Sequence, residues 1–457
     1  MISGLVDNRL PKCSETGIQG SFSMSMIDII EKKRDGGELS TDQIFWFIRA
    51  YTDGEIPDYQ AAALIMAIYI QGMNRRETVD LTTAMARSGD QIDLHDVVPF
   101  VVDKHSSGGV GDKTSLVVLP AVAACCVPVG KMSGRGLGSS GGTLDKMESI
   151  PGWSPNLTIQ QFKEQLVDID LVLSGQTARL APADGKLYAL RDVTGTIGSK
   201  PLIAASIMSK KLACWGDAVV LDVKLGNGAF MPTVDEAREL AELMVGIGKD
   251  AGRKTVALLS DMNQPLGHAV GNSLEVHEAI EALRGYGPPD LWTHCLEVAS
   301  YMVLLSGQVE TLDEAKDSIN QVRVDGRALA KFRAMVAAQG GDVHFIDNPE
   351  AFPKPAIVER VLAEKSGYIS GIDAGAIGWS CVRLGAGRML KTDSIDHSVG
   401  MVVPIKVGDH VEHGELLGTI YAPDQVRFDR AREEFRSSIS ISDSPVSPLP
   451  HLYGTLT

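Results

Sequence analysis

Val97–Val129 reads VVPFVVDKHSSGGVGDKTSLVVLPAVAACCVPV, and this stretch decides the fold. A short apolar run ends in Asp103, Lys104 and His105, as a strand does when it delivers charged groups to a site. A glycine-rich loop follows. SLVVLPAVAACCVPV then predicts a helix leading into another strand. The pattern repeats downstream. AVVLDVKLGNGAF and KTVALLSDM read as strands, and DEARELAELMVGIGKDAG between them reads as a helix. Alternating strand and helix predicts an α/β domain.

Outward from that core the texture changes on both sides. MIDIIEKKRDGGELSTDQIFWFIRAY has apolar residues at helical spacing, broken at Gly36-Gly37, with Ser40 and Thr41 as helix caps. PDYQAAALIMAIYIQGM is apolar on most sides and predicts a buried helix. Thr177–Lys211 is helix-rich and is expected to pack back on these N-terminal helices, leaving a cleft between two lobes. Toward the C-terminus, AIVERVLAEKSGYISGIDAGAIG and MVVPIKVGDHVEHGELLGTIYAPD carry short strands and Gly/Asp turns. The expected fold class is therefore α/β, with a small all-α domain, a large mixed α/β domain and a C-terminal β-rich subdomain. The expected boundaries are an extension at 1–23, an α-domain at 24–90 and 177–213, an α/β domain at 97–174 and 217–350, a β-rich unit at 353–434 and an irregular Ser/Pro-rich tail at 435–457.

Composition narrows the function classes. The 457 residues are 44% hydrophobic and 22% charged, an ordinary soluble balance. A formal net charge of −15 opposes non-specific binding to nucleic acid or anionic membrane. The N-terminus has no basic region followed by an apolar one, so no secretory signal is read. The six cysteines form no CxxC and read as reduced thiols, which points to a cytoplasmic protein.

Two loops carry the chemistry. Lys104, Ser106, Ser107, Gly108 and Gly109 come from the first, and Lys131, Ser133, Arg135 and Thr143 from the second. Glycine lets backbone N–H groups approach an anion, hydroxyls donate to it and lysine supplies charge. One such loop is an ordinary solvated turn; two of like chemistry suit a small anion such as phosphate. GLGSSG at 136–141 matches a dinucleotide fingerprint, but no acid-terminated strand stands at the required distance. The first loop also fails the phosphate-loop pattern, because Asp112 stands where glycine is needed before Lys113. In YALRDVTGTIGSKPLIAASIMSKK, Ser206 and Lys210 are four apart and share one helix face. Arg191 and Lys210 are expected to point across the cleft at a polar planar group.

DKHSSGGVGDKTS, KMSGRGLGSSGGTLDKMESIPG and LYALRDVT…SIMSKK closely resemble the pyrimidine-nucleoside phosphorylase/thymidine phosphorylase family. The resemblance covers about Ser25 to the C-terminus, through DMNQPLGHAVGNSLEVHEAIE, AAQGGD and GAGR. It implies a homodimer of two-lobed subunits. The reaction it implies is reversible phosphorolysis of uridine, thymidine or deoxyuridine to free base and (deoxy)ribose 1-phosphate, in pyrimidine salvage. Phosphate is the co-substrate and no cofactor is required. By resemblance, phosphate is held by Lys104, Ser106, Ser115, Lys131, Ser133 and Thr143, with the Gly108 N–H. The base is held by Arg191, Ser206 and Lys210, and His105 faces it with a proton for O2. A structural potassium ion is implied at Gly111, Lys113, Leu266, Ala269 and Glu278, with Lys113 contributing its carbonyl.

Two features bear on specificity. Lys131 before Met132 resembles the branch that accepts uridine as well as thymidine, rather than the thymidine-selective branch. Ser139-Ser140 departs from the family's usual His-Thr and bears on substrate preference. Two other readings compete. An anthranilate-type phosphoribosyltransferase shares the expected architecture but needs an acidic pair for magnesium, and none is evident beside the glycine loops. A biotinyl- or lipoyl-type carrier would need a lysine at a hairpin tip within MVVPIKVGDHVEHGELLGTI, and no such tip is evident.

Overall fold

The computed structural model describes residues 24–457 apart from 137, 139, 140, 176–178, 215 and 390–392. The expected extension, Cys13 and the Ser139-Ser140 departure therefore lie outside the described residues.

Four helices come first: α1 Met26–Arg34, α2 Thr41–Asp53, α3 Asp58–Gln71 and α4 Arg75–Ala86. Ser40 caps α2, its hydroxyl accepting the Gln43 N–H while Gln43 reaches back to the Ser40 N–H. The chain continues through β1 Val102–Ser106, α5 Thr114–Ala124, β2 Val129–Ser133, α6 Thr143–Met147, α7 Ile159–Ile169 and β3 Leu171–Gly175. α8 Pro182–Thr194 and α9 Lys200–Ala213 then return to the first helices, where Leu187, Leu202 and Ala205 join Ile29, Phe47, Leu64 and Leu81 in one apolar core. α3 is not wholly buried as its composition predicts. Ala61, Leu64, Ile65 and Ile68 face the core, whereas Tyr59 and Ile70 are 75% and 70% exposed.

β4 Ala218–Leu225, α10 Val234–Asp250 and β5 Lys254–Asp261 complete the alternation, followed by β6 Ala269–Val270 and α11 Asn272–Arg284. The main sheet runs in the order β13-β5-β4-β1-β2-β3, with β13 at Leu452–Leu456. Every neighbour pair among β1 to β5 in this sheet is parallel. β4 is buried at every position, as a central parallel strand covered on both faces must be. Helices α12 Pro289–Ser306, α13 Leu312–Val324 and α14 Arg327–Ala338 stack beside α5.

The C-terminal part adds a four-stranded sheet and a three-stranded one, built from β6 to β12. Here β7 is Ile357–Leu362, β8 Gly367–Ile372, β9 Gly400–Val402, β10 His410–Val411, β11 Leu416–Ala422 and β12 Ile439–Ser442. The tail is not irregular. β12 pairs antiparallel with β8, and β13 pairs antiparallel with β5 at the edge of the main sheet. The prolines of SPVSPLP lie between these two strands, so they break the ladder only in the connector.

Candidate functional site

The parallel sheet aims the C-terminal ends of β1 and β2 at one region, where open α/β folds place their ligands. Alternation along β1 sorts its side chains between two faces. Lys104 and Ser106 face the loop that opens α5. The Lys104 ammonium is fully buried, bonds the Thr114 hydroxyl and lies 3.9 Å from Asp222. The Ser106 hydroxyl donates to Asp112, and Thr114 Oγ1 donates to the same carboxylate at 2.6 Å. Ser106 Oγ also accepts the Gly108 N–H at 3.3 Å. Ser115 follows, buried in the first turn of α5.

Asp103 and His105 take the other face of β1. Asp103 accepts from Lys211 of α9 at 2.7 Å, and Lys211 also reaches the Met132 carbonyl at 3.3 Å. The end of α9 is thus pinned to the strand that carries the site. Lys131 of β2 donates to the Lys104 carbonyl and lies 4.0 Å from Asp103. Ser133 ends β2, and Thr143 begins α6 across the glycine turn.

The electrostatics favour an anion. Burial, reinforced by Lys211, Lys131, Lys210 and Lys104, pushes His105 well below the usual imidazole range and keeps it neutral. Burial and then Lys211 push Lys131 well down. Burial acts against ionised Asp112, yet Lys104 foremost, with Lys224 and Lys146, holds its pKa far below the carboxylate range. Asp112 is thus an acceptor already engaged with the Ser106 and Thr114 hydroxyls.

Arg191, Ser206 and Lys210 come together on the helical lobe, but the Arg191 and Lys210 side chains are engaged within that lobe and do not point across the cleft as expected. Arg191 Nε, Nη1 and Nη2 donate to the carbonyls of Thr196, Leu202 and Ile197 at 3.3, 3.0 and 2.7 Å. A buried guanidinium has to satisfy its fork of donors, and the α8–α9 turn supplies the acceptors. Burial lowers the Arg191 pKa, against the pull of Asp184. Lys210 bonds Asp184 at 2.7 Å and lies 3.4 Å from Ser206 Oγ, so the shared face read from their spacing is realised. Asp184 Oδ1 is buried and has no hydrogen-bond partner among the described residues. Between the lobes lies a cleft of about 660 Å³, lined by Gly108 and Gly138 on one side and Tyr188, Asp192 and Ile197 on the other, with Phe230 and Trp379 at its wall.

A buried polar cluster that the motifs do not signal lies beneath the loop that opens α5. Asp222 of β4 accepts from Lys224, His294 and Ser260, all buried. The signal was present in VVLDVKLG, where two charges interrupt a strand buried on both faces.

The potassium ligands expected from the resemblance do converge, but on the Lys113 side chain. Its Nζ donates to the Leu266 and Ala269 carbonyls at 2.8 and 2.9 Å and to the Glu278 carboxylate. The Lys113 carbonyl, expected as a ligand, instead accepts the Leu116 N–H at 2.9 Å. This donor set does not fit a resident metal ion, because its centre is filled by an ammonium group. Elsewhere among the described residues, no group of three His, Cys, Asp or Glu is placed to hold a metal.

Comparison with known proteins divides the chain into three matched segments. Residues 27–89 match the helical bundle domain of a glycosyl transferase family, and residues 99–329 match that family's a/b domain. Residues 368–442 match the pyrimidine nucleoside phosphorylase C-terminal domain. The chain is 49% identical over 434 residues to a pyrimidine-nucleoside phosphorylase of Geobacillus stearothermophilus, covering 95% of this chain and 100% of that one. It is 52% identical over 425 residues to the Staphylococcus aureus (strain USA300) protein of the same name, covering 93% and 98%. Anthranilate phosphoribosyltransferase from Thermus thermophilus shares the fold, with a TM-score of 0.57 at 19% identity over 68% of this chain and 99% of that one.

Proposed function

Because the chain belongs to the pyrimidine-nucleoside phosphorylase family, we propose that it catalyses reversible phosphorolysis of pyrimidine nucleosides, releasing free base and pentose 1-phosphate. Phosphate is its co-substrate. The structural observation that carries the reading is the cluster at the end of β1: buried Lys104 bonded to Thr114, Ser106 and Thr114 both donating to Asp112, and Lys131 of β2 donating to the Lys104 carbonyl.

Phosphate is already a nucleophile, so the protein has to orient it, exclude water and stabilise the departing base. In this reading phosphate enters beside Lys104, Lys131, Ser106, Ser115, Ser133 and Thr143, and takes over the Ser106 hydroxyl that Asp112 now holds. A phosphate oxygen bonds to C1′ of the pentose while the C1′–N bond breaks, and its electron pair leaves with the base. Negative charge grows on the pyrimidine oxygens. Lys210, Ser206 and Arg191 meet it from the helical lobe. Neutral His105 donates a hydrogen bond to O2 without carrying a charge of its own. For Lys210 and Arg191 to reach the base, Asp184 and the 196–202 carbonyls have to release part of their present hold.

The lobes 24–90 with 177–213 and 97–174 with 217–350 divide base from phosphate in this account. We extend the reading to uridine, thymidine and deoxyuridine as substrates, supported by lysine at 131, to a homodimer, supported by the exposed Ile27, Tyr59, Tyr69 and Ile70 of α1 and α3, and to a place in the cytoplasm. Release of free base from these three nucleosides, with and without phosphate, tests the proposal. Release that requires phosphate supports it; no release from any pyrimidine nucleoside overturns it. Sedimentation as a monomer at micromolar concentration would contradict the dimer.

A further inference from the structure

Lys113 precedes the first residue of α5, and its side chain is fully buried. Its ammonium has three protons and meets three acceptors: the Leu266 carbonyl, the Ala269 carbonyl and the Glu278 carboxylate. Both Glu278 oxygens are oriented by the N–H groups of His268 and Ala269, at 2.9 to 3.2 Å. The cage is closed by glycines. A Cβ at Gly111 would stand 2.8 Å from the Leu266 oxygen, and one at Gly267 would stand 2.4 Å from Glu278 Oε2 and 3.1 Å from the ammonium. Both glycines have positive φ, +71° and +67°.

Two carbonyl oxygens and a carboxylate converging on one point form a hard-oxygen donor set of the kind that replaces the hydration shell of a monovalent cation. An ammonium nitrogen and a potassium ion stand at similar distances from such oxygens. The ion expected here would be mobile, whereas the lysine is covalently fixed. A second ammonium grips the same loop from the other side: Lys406 Nζ donates to Pro265, Gly267 and Asp290, each at 2.7 Å. Segment 265–269 is also tied to the phosphate loop, because the Leu266 N–H donates to the Val110 carbonyl at 3.2 Å. Asp112, next to Lys113, holds Ser106 and Thr114. The cation in this cage therefore sets the shape of the loop that is to receive the anion.

We propose that Lys113 is a built-in monovalent cation, filling the position of a structural potassium ion so that this chain needs none, and that removing its side chain creates a potassium site. The proposal concerns the cage and stands apart from which nucleoside is cleaved.

The test compares melting temperature, and separately KM for phosphate, in potassium chloride and in choline chloride at equal ionic strength after exhaustive dialysis. The wild-type protein is expected to show the same values in both salts. Lys113→Ala leaves three oxygens around an anionic hollow and is expected to melt several degrees higher in potassium than in choline. Lys113→Met fills the hollow with an uncharged chain and is expected to gain nothing from potassium. A wild-type protein that melts lower or binds phosphate more weakly without potassium overturns the proposal, and this arm decides even if a variant does not fold. Equal melting of folded Lys113→Ala in the two salts overturns it as well.

Discussion

Lys211 of α9 holds Asp103 of β1 at 2.7 Å, joining the last turn of the helical lobe to the strand that carries Lys104 and His105. The next residue back, Lys210, turns the other way and bonds Asp184 within its own lobe, also at 2.7 Å. One helical turn thus supplies a tie to β1 and a cation held within the helical lobe side by side.

Breaking that tie leaves a buried charge without its partner. Both side chains are nearly inaccessible, at 3% and 6% exposed. Lys211→Met or Asp103→Asn should each cost about 3–5 kcal/mol of stability, the range for breaking one side of a buried pair. The double variant should cost less than the sum of the two. Denaturant unfolding of the four proteins in this cycle measures the coupling, and strict additivity would show the contact to be incidental.

Lys210 should behave differently if it meets the base as proposed, because a cation there is worth more against a departing base, whose oxygens gain charge, than against the intact nucleoside. Lys210→Met should lower kcat/KM for the nucleoside about a hundredfold, on the order of 3 kcal/mol, by analogy with loss of an oxyanion donor. Its melting temperature should also fall, because Asp184 is left buried without its partner, and the Lys210→Met/Asp184→Asn double variant should regain stability but not activity. Arg191→Ala should lose both activity and stability, because its guanidinium also ties down the carbonyls of Thr196, Ile197 and Leu202. Steady-state kinetics alongside thermal unfolding checks these outcomes.

The pH dependence follows from histidines held below their ordinary pKa of 6.5. For His105 the causes are burial and then the surrounding lysines; for His294 burial leads, against Asp222. Below about pH 6.5 the unfolded chain takes up protons that these folded-state histidines refuse, so stability falls as pH falls. Above that pH both states are neutral and the histidines contribute no slope. His105→Gln should flatten the fall between about pH 6.5 and 5, measured by denaturant unfolding at several pH values. An unchanged slope would mean that His105 ionises in the folded protein much as in the unfolded one.

The edge of the main sheet yields a prediction about the tail. β13 covers β5, and Tyr453 donates its hydroxyl proton to Asp261 at 3.0 Å. Deleting residues 451–457 should expose a row of unpaired strand groups, lower the melting temperature and promote aggregation. Light scattering on heating checks this, and an unaltered profile would show β13 to be dispensable.

The parts of this structure that are written locally were legible in the sequence. Lys104 and Lys131 stand at the ends of apolar runs, and Ser206 and Lys210 fall on one helix face through their spacing. What failed was partnership at long range. Nothing around Lys113 says whether its carbonyl or its ammonium will face Leu266, because the acceptors lie some 150 residues away, with sequence separations of 153, 156 and 165. Arg191 was read as aimed outward, because the turn that absorbs its donors closes only when α8 and α9 pack. The Ser/Pro composition of the tail hid two short strands whose pairing is supplied by β8 and β5. Asp222 and His294 are 72 residues apart in the chain, and their contact follows from the stacking of α12 on β4.

The division of substrates between the lobes is tested most directly by titrating phosphate calorimetrically into the nucleoside-free enzyme and its variants. The account predicts full phosphate heat for the wild type and nearly full heat for Lys210→Met. A folded Lys104→Met protein should give little or none, because the ammonium beside Ser106 and Thr114 is gone. Phosphate heat that survives in Lys104→Met, or that vanishes as completely in Lys210→Met, would contradict the assignment of the anion to the strand ends and the base to the helical lobe.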